Sequence, residues 1–385
     1  MAISSAQSGR SIFMKNPGEP MRVVFRADAS LDIGTGHIMR CLTLADALSM
    51  KGVECSFISR DLRGNLIEQT RQRGYTVHAL PAPKEAGAHT ITLEPGHAAW
   101  LGVGWQEDAE ESLPFLRELN PDWLIVDHYA LDSRWETATS QYWQRLFVID
   151  DLADRAHVAD LLLDQNLGRE ASDYKPLLPG HAQCLVGPQY ALLRPEFAEF
   201  RPYSLERRKS GELRHILISL GGVDKDNATG AVLRALRECP LPDDCTMTVV
   251  MGGHAPHLQD VRTLAATMPW PTKVAINVSD MAKRMSEADL AIGAAGSTSW
   301  ERCALGLPSI LLCLADNQKM VIETLCRQGI AMELDIQAFR QEGGVLLKGK
   351  LVEAESSLLS MIKRAASITD GFGCVRLIDY LLGEK

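Results

Sequence analysis

From Met21 onward the chain alternates short apolar, β-branched runs with segments whose apolar residues recur at helical spacing. MRVVFRAD (21–28) reads as a strand. In IMRCLTLADALSMKG (38–52) the apolar residues Ile38, Leu42, Ala45 and Leu48 fall on one helical face, and Gly52 can end the helix. VECSFISRD (53–61), LRGNLIEQTRQRG (62–74) and YTVHAL (75–80) repeat strand, helix and strand. After a Pro/Gly/Ala-rich segment (81–104) and a helix near 106–119, PDWLIVDHYAL (121–131) is fully apolar, as buried parallel strands are. RLFVIDDLADR (145–155) and HVADLLLDQNLG (157–168) continue the series. The charged stretch 195–213 reads as a linker. The alternation then restarts with RHILISLGGVDKDNATG (214–230), CTMTVVMGG (245–253), TKVAINV (272–278), ADLAIGAAG (288–296) and LPSILLCLA (307–315). This order predicts an α/β protein of two doubly wound, Rossmann-like domains, 21–200 and 212–385, the second ending in a helical tail. Ligands of open α/β sheets bind beyond the carboxyl ends of the strands, so the active site is expected in the cleft between the domains. Residues 1–20 are polar and read as a disordered extension.

Composition narrows the classes. The 385 residues are 46% hydrophobic and 23% charged, ordinary globular values that exclude a disordered or collagen-like chain. A net charge of −9 argues against nucleic acid as a partner. The 9 cysteines include no CxxC pair, which fits a reducing cytoplasm without structural zinc or disulfides. No apolar run approaches the ~20 residues of a membrane span, so no membrane insertion is expected.

Four motifs sit at strand ends. In RADASLDIGTGHIMRC (26–41), Gly34 and Gly36 make a turn, and His37 stands at the start of a helix. The positive helix end favours a neutral imidazole, able to accept a proton, although His37 could also simply pack or cap. The loop is not GxGxxG, so a nicotinamide cofactor is not expected. In SLGGVDKDN (219–227), Gly221 and Gly222 allow backbone N–H groups to face a diphosphate, or form a plain tight turn. In AIGAAGSTSWERCALGLP (291–308), Thr298 and Glu301 have capping-box spacing; alternatively the Glu301 carboxylate accepts hydrogen bonds from both hydroxyls of a ribose. In LADNQKM (314–320), Asn317 and Gln318 could read sugar hydroxyls or acetamido groups, or form an Asx-turn. No dense His/Cys/Asp cluster suggests a metal, and no cofactor is expected.

Together, in this order, the motifs resemble the two-domain GT-B sugar-nucleotide enzymes. The nearer match is the hydrolases of pseudaminic acid biosynthesis, which act on UDP-2,4-diacetamido-2,4,6-trideoxy-β-L-altropyranose. The blocks that carry it are FRADASLDIGTGHIMRCLTLA (25–45), LIVDHYAL (124–131), LLLDQNLGREASDY (161–174), GPQYALLRPEF (187–197), LGGVDKDN (220–227), IGAAGSTSWERCALGLP (292–308) and LADNQ (314–318). They span about Met21 to Gly329. The resemblance implies that the N-terminal domain supplies catalysis and the C-terminal domain holds UDP. His37 would be the general base for water. Asp28, Gly36, Tyr129, Asn166, Asn317 and Gln318 would contact the sugar. Gly221, Gly222, Asn227, Gly296, Ser297 and Glu301 would contact UDP. The extension 1–20, the segment 81–104 and the tail after Gly329 depart from the compact family pattern. A glycosyltransferase of the same fold and a non-catalytic sugar-nucleotide-binding protein are the competing readings.

Overall fold

The structure is a computed structural model that describes residues 19–84, 96–314 and 318–383. It divides into two compact units. Unit 1 comprises Met1–Gln165, Arg169–Leu192 and Cys374–Lys385; unit 2 comprises Asn166–Gly168 and Leu193–Gly373. In unit 1 the elements run β1 (Arg22–Ala27), α1 (Gly36–Ser49), β2 (Glu54–Arg60), α2 (Ile67–Gln72), β3 (Thr76–Leu80), α3 (Trp105–Leu119), β4 (Trp123–Asp127), α4 (Ser133–Thr139), β5 (Arg145–Ile149), β6 (Leu161–Asp164), α5 (Ala171–Tyr174) and β7 (Gln183–Val186). Unit 2 contains α6 (Pro195–Arg207), β8 (His215–Ser219), α7 (Ala228–Leu236), β9 (Thr246–Met251), α8 (Leu258–Ala265), β10 (Thr272–Ile276) and α9 (Met281–Glu287). It continues with β11 (Leu290–Ala294), α10 (Thr298–Ala304), β12 (Ser309–Leu312), α11 (Lys319–Arg327), β13 (Ala331–Leu334) and α12 (Ile336–Ala366). The last helix, α13 (Gly373–Leu382), returns to unit 1.

Both sheets are wholly parallel. The first has the order β3-β2-β1-β4-β5-β6-β7 and the second β10-β9-β8-β11-β12-β13, each reversing direction beside its first strand. These are doubly wound sheets, as the alternation of strand and helix predicts, and two such domains are the GT-B arrangement. No described helix is long and apolar enough to cross a membrane.

Two expectations change, and a third is not tested. The charged stretch 195–213 is not a linker: most of it is helix α6, which belongs to unit 2. Its arginines hold it there. Arg201 donates to the carbonyls of Ala304, Ala366 and Thr369, and Arg207 to that of Ala288 and to Asp289. Buried Arg208 donates to the carbonyls of Ala288, Leu305 and Met285; burial, with Arg207 nearby, pushes its guanidinium down to about 9. The boundary therefore falls at Leu192–Leu193. The tail is also divided, because Cys374, Leu377, Ile378 and Leu381 of α13 pack with Val23, Phe25 and Ile38 in the core of unit 1. Finally, the expected extension lies outside the described residues up to 18, as do residues 85–95 of the Pro/Gly/Ala-rich segment.

A buried ion network locks the centre of unit 1. Arg26, at the end of β1, donates to Asp108 of α3 at 2.6 and 3.2 Å and to Asp28 at 2.7 Å. Arg60 donates to the same Asp108 at 2.8 Å, and the Trp135 indole donates to it at 2.9 Å. Burial pushes the Asp28 and Asp108 carboxyls up, but the guanidiniums outweigh it and hold both below the usual range. Breaking a buried pair costs more than an exposed one, because the surviving charge is stranded. Asp108→Ala is therefore expected to destabilise unit 1 by about 3–5 kcal/mol. Urea unfolding followed by tryptophan fluorescence measures this, and a loss under about 1 kcal/mol would contradict it. Because both carboxyls are depressed, their stabilisation is present at neutral pH and is lost only as pH falls below about 4.

Candidate active site

The reversal point of the first sheet lies between β1 and β4, where Ala27 is paired with Asp127. His37 is in the first turn of α1, just beyond the end of β1, and is buried. Its Nδ1 lies 2.5 Å from Asp127 Oδ1. Arg40, on the same helix, grips Asp127 through Nε at 2.6 Å and Nη2 at 2.7 Å, and reaches Asp151 through Nη1 at 2.6 Å. Burial raises the Asp127 carboxyl, but Arg40 and then His37 outweigh it and hold it well below the usual range. A carboxylate only accepts hydrogen bonds, so in the neutral imidazole the proton sits on Nδ1 and Nε2 carries the lone pair. This is the arrangement in which a carboxylate fixes the tautomer and orientation of a histidine base and stabilises the imidazolium formed when it takes a proton.

Tyr129 closes one side of His37, its ring edge-on at 4.6 Å. Its hydroxyl donates to Asp151 at 2.7 Å; burial first, and Asp151 second, push the phenol well above its ordinary value. Asp28 is fully enclosed, accepting from Arg26 and from the Arg60 backbone N–H, so its carboxylate positions the strand ends. His128 stands beside it: its Nδ1 accepts from the Ala130 N–H, and Nε2 lies 3.3 Å from Asp28 Oδ2. Gly36 is exposed, with open space where a side chain would project. Asn166 is half-buried and groups with unit 2, although it was expected on the catalytic domain.

In unit 2 the reversal point lies between β8 and β11, with Ser219 paired to Gly293. The Gly221–Gly222 loop and the Gly296–Ser297 turn therefore leave from adjacent strand ends. Gly221 has φ +98°, a conformation that needs glycine, and both glycines of its loop are exposed. Gly252 donates to the Gly222 carbonyl at 2.9 Å, and a side chain at Gly252 would strike that oxygen.

The two helices differ at their starts. Asn227 caps α7, accepting from Gly230 N–H at 3.0 Å, while Asp224 accepts from Ala228 and Thr229 at 2.8 Å. The first amides of α7 are thus taken by the chain's own side chains, and Asn227 is engaged as a cap. By contrast, no side chain caps the start of α10. Thr298 is its first residue and not its N-cap, so the capping box expected from Thr298 and Glu301 does not form. Glu301 is half-buried; burial pushes its carboxyl up against the opposing pull of Arg194 and Arg302. Gln318 uses its Oε1 to accept from Leu314 N–H at 3.0 Å. Asn317 lies outside the described residues.

The residues that the motifs left without a role are Asp127, Arg40 and Asp151. The signal was present for two of them: Asp127 ends the apolar strand in LIVDHYAL, and Arg40 is one helical turn from His37.

No protein-family profile matches the chain. It is similar to the UDP-2,4-diacetamido-2,4,6-trideoxy-beta-L-altropyranose hydrolase of Campylobacter jejuni, with 27% identity over 81% of this chain and 99% of that protein. It is also similar to the spore coat polysaccharide biosynthesis protein SpsG of Bacillus subtilis, with 30% identity over 51% of this chain and 58% of that one. The chain spans little more than half the length of two of the curated relatives it matches. Among solved structures, MurG of Acinetobacter baumannii superposes with a TM-score of 0.68 at 16% identity, covering 94% of this chain and 100% of that one. The spinosyn rhamnosyltransferase SpnG gives 0.62 at 17% identity, covering 93% and 100%. At these identities the structural likeness establishes the fold.

The geometry makes a claim about the histidine that needs no substrate. In ¹⁵N spectra of the neutral imidazole, His37 Nδ1 is expected to be the protonated nitrogen, and Asp127→Asn is expected to mix the tautomers. A deprotonated Nδ1 in the unaltered protein would remove Asp127 as its acceptor.

Proposed function

We propose that the protein hydrolyses a UDP-linked diacetamido-trideoxy sugar, UDP-2,4-diacetamido-2,4,6-trideoxy-β-L-altropyranose, to the free sugar and UDP. The observation that carries the reading is the His37–Asp127 pair, which leaves Nε2 as a proton acceptor at the reversal point of the sheet. The similarity to the Campylobacter jejuni hydrolase along nearly its whole length supports the substrate. Nε2 takes a proton from water as the water oxygen attacks the anomeric carbon. The bond from that carbon to the diphosphate oxygen breaks, and its electron pair leaves with UDP. Attack opposite the leaving group inverts the anomeric centre. UDP is already a good leaving group, so one positioned base is sufficient and no metal is required by the reading. A general base contributes typically ~10²–10⁴-fold.

The labour is divided between the units: water activation belongs to unit 1 and nucleotide retention to unit 2. In unit 2 the exposed Gly221–Gly222 and Gly296–Ser297 turns suit a diphosphate better than the capped start of α7, where Asp224 would repel it. Glu301 suits a ribose, because two hydroxyl donors would stabilise a carboxylate that burial disfavours.

His37→Asn is expected to keep the fold and UDP affinity and to lower kcat by about 10²-fold or more. Turnover near that of the unaltered protein would exclude His37 as the base. Hydrolysis in ¹⁸O-labelled water is expected to place the label in the sugar; label in UDP means attack at phosphorus and ends the proposed geometry. Excess EDTA is expected to leave the rate unchanged. Glu301→Gln is expected to keep the melting temperature, since the carboxylate caps nothing, and to weaken UDP binding roughly tenfold, about 1.4 kcal/mol. A calorimetric titration beside a melting curve measures both. The competing reading, a glycosyltransferase, rests on the names of the structural neighbours. Incubation with UDP-sugar alone separates the two, because a hydrolase releases free sugar without an acceptor.

A further inference from the structure

The long helix of unit 2, α12, buries one face and leaves the other bare. It runs regularly from 343 to 366, after a single non-helical residue at Glu342. Leu347, Leu351, Ala354 and Leu358 pack into the core of unit 2. On the opposite face Val345 is 72% exposed, Val352 56% and Leu359 47%. Single exposed apolar residues are ordinary on a surface. These three recur every seven residues, which lines them along one side of the helix as in the seam of a coiled coil. Between them stand exposed Gly349 and Ser356, with open space beside Gly349. Small side chains at a contact let two helices approach closely.

The charges beside the seam select what faces it. On one flank Lys348 and Glu355 are exposed, and neither has an ion-pair partner among the described residues. Lys350 and Glu353, by contrast, satisfy each other at 3.1 Å. The pattern is symmetric in chemistry about Val352. Val345 and Leu359 lie equally far before and after it; within one residue, so do Lys348 and Glu355, and Gly349 and Ser356. An antiparallel copy of the same helix therefore sets Val352 on Val352, Val345 on Leu359, Gly349 on Ser356 and Lys348 on Glu355, all in one register. In a parallel pair the equivalent flanks fall on opposite sides of the seam, so Lys348 and Glu355 cannot meet. Leu359 also walls a groove of about 520 Å³ between α6 and α12, lined by Leu205, Ile362 and Ala366 and rimmed by Lys209 and Lys363. The groove widens the apolar surface where Val345 of a second copy arrives.

We propose that the protein binds a second copy of itself through α12, the two helices running antiparallel about a two-fold axis at Val352. Such an interface is self-complementary, each copy offering the same patch to the other. It buries the apolar seam and gives both unpaired charges an opposite partner. The seam from Val345 to Leu359 is about 21 Å long at 1.5 Å per residue. That is small for a specific interface, so the dimer is reversible and depends on concentration. None of these residues belongs to the candidate active site, so the inference stands apart from the hydrolase reading.

Sedimentation velocity of the full chain is expected to pass from monomer to dimer between roughly 1 µM and 1 mM. A monomer throughout that range overturns the proposal. Val352→Glu places two carboxylates on the axis and is expected to leave only monomer; a dimer that survives it uses another surface and also overturns the proposal. Lys348→Glu and Glu355→Lys are each expected to weaken the dimer about tenfold, and the double variant to restore it. No restoration removes the antiparallel register. All of these side chains face solvent, so melting temperatures are expected to hold, which separates a lost interface from a lost fold. Orientation is read by cross-linking with oxidised glutathione, since the chain's own cysteines are buried or half-buried. Val352→Cys is expected to give a disulfide-linked dimer by itself. Val345→Cys is expected to do so only when mixed with Leu359→Cys. A Val345→Cys protein that cross-links alone has parallel helices and ends the proposed geometry.

Discussion

The carboxylate of Asp127 is held by three side chains of one helix, His37, Arg40 and Cys41, and most of the candidate site follows from that restraint. It ends β4, beside the end of β1, so its place is set by the central strand pairing of the sheet. His37 and Arg40 are one turn apart on α1 and converge on it from the same helical face. A buried carboxylate bears a desolvation cost that only close, well-aimed donors offset. Here the bidentate guanidinium supplies the charge, and the histidine and the Cys41 thiol supply further hydrogen bonds. Arg40 extends the restraint through Asp151 to the Tyr129 hydroxyl, so the ring that flanks His37 is fixed by the same chain of contacts. Orientation of the imidazole is therefore a property of the sheet register and not of a flexible loop.

The second unit solves a different problem with the same sheet. Both of its loops at the reversal point begin with glycines, yet their helices are prepared differently. At α7, Asp224 and Asn227 consume the first amides. That satisfies the helix and closes it to an anion. At α10 no side chain does so, and Glu301 carries a carboxyl that burial alone disfavours. The amides of Ser299 and Trp300 are met instead by the carbonyls of Gly296 and Ser297.

The fold was legible because its signal is repeated. Strands such as 21–28 and 53–61 are long enough for apolar patterning to identify, and they correspond to β1 and β2. The edge strands β7 and β13, with four residues each, are too short to show a period. The stretch 195–213 looked like a linker because its arginines are charged; their partners are backbone carbonyls, which a sequence does not display. The site was legible in part for the same reason. His37 follows a glycine turn and can be picked out locally, but its acceptor lies 90 residues away. Asn227, which the resemblance places near UDP, caps α7 with its Oδ1, a local role that the same side chain also fills. The rings of His97 and Trp100 gave no signal, since only folding brings them to Tyr129.

A shared fold leaves the choice of acceptor open, because a hydrolase and a transferase of this architecture need the same base and the same nucleotide site. What differs is the group that occupies the space in front of Nε2. Water needs little room, while an acceptor sugar or lipid needs a second binding surface and loses substantial freedom on binding. The rings of His97 and Trp100 add apolar surface next to His37, on a segment outside the seven motif blocks. Such surface lowers the local dielectric around the His37–Asp127 pair. A lower dielectric strengthens the interaction of the carboxylate with the imidazolium that proton transfer creates.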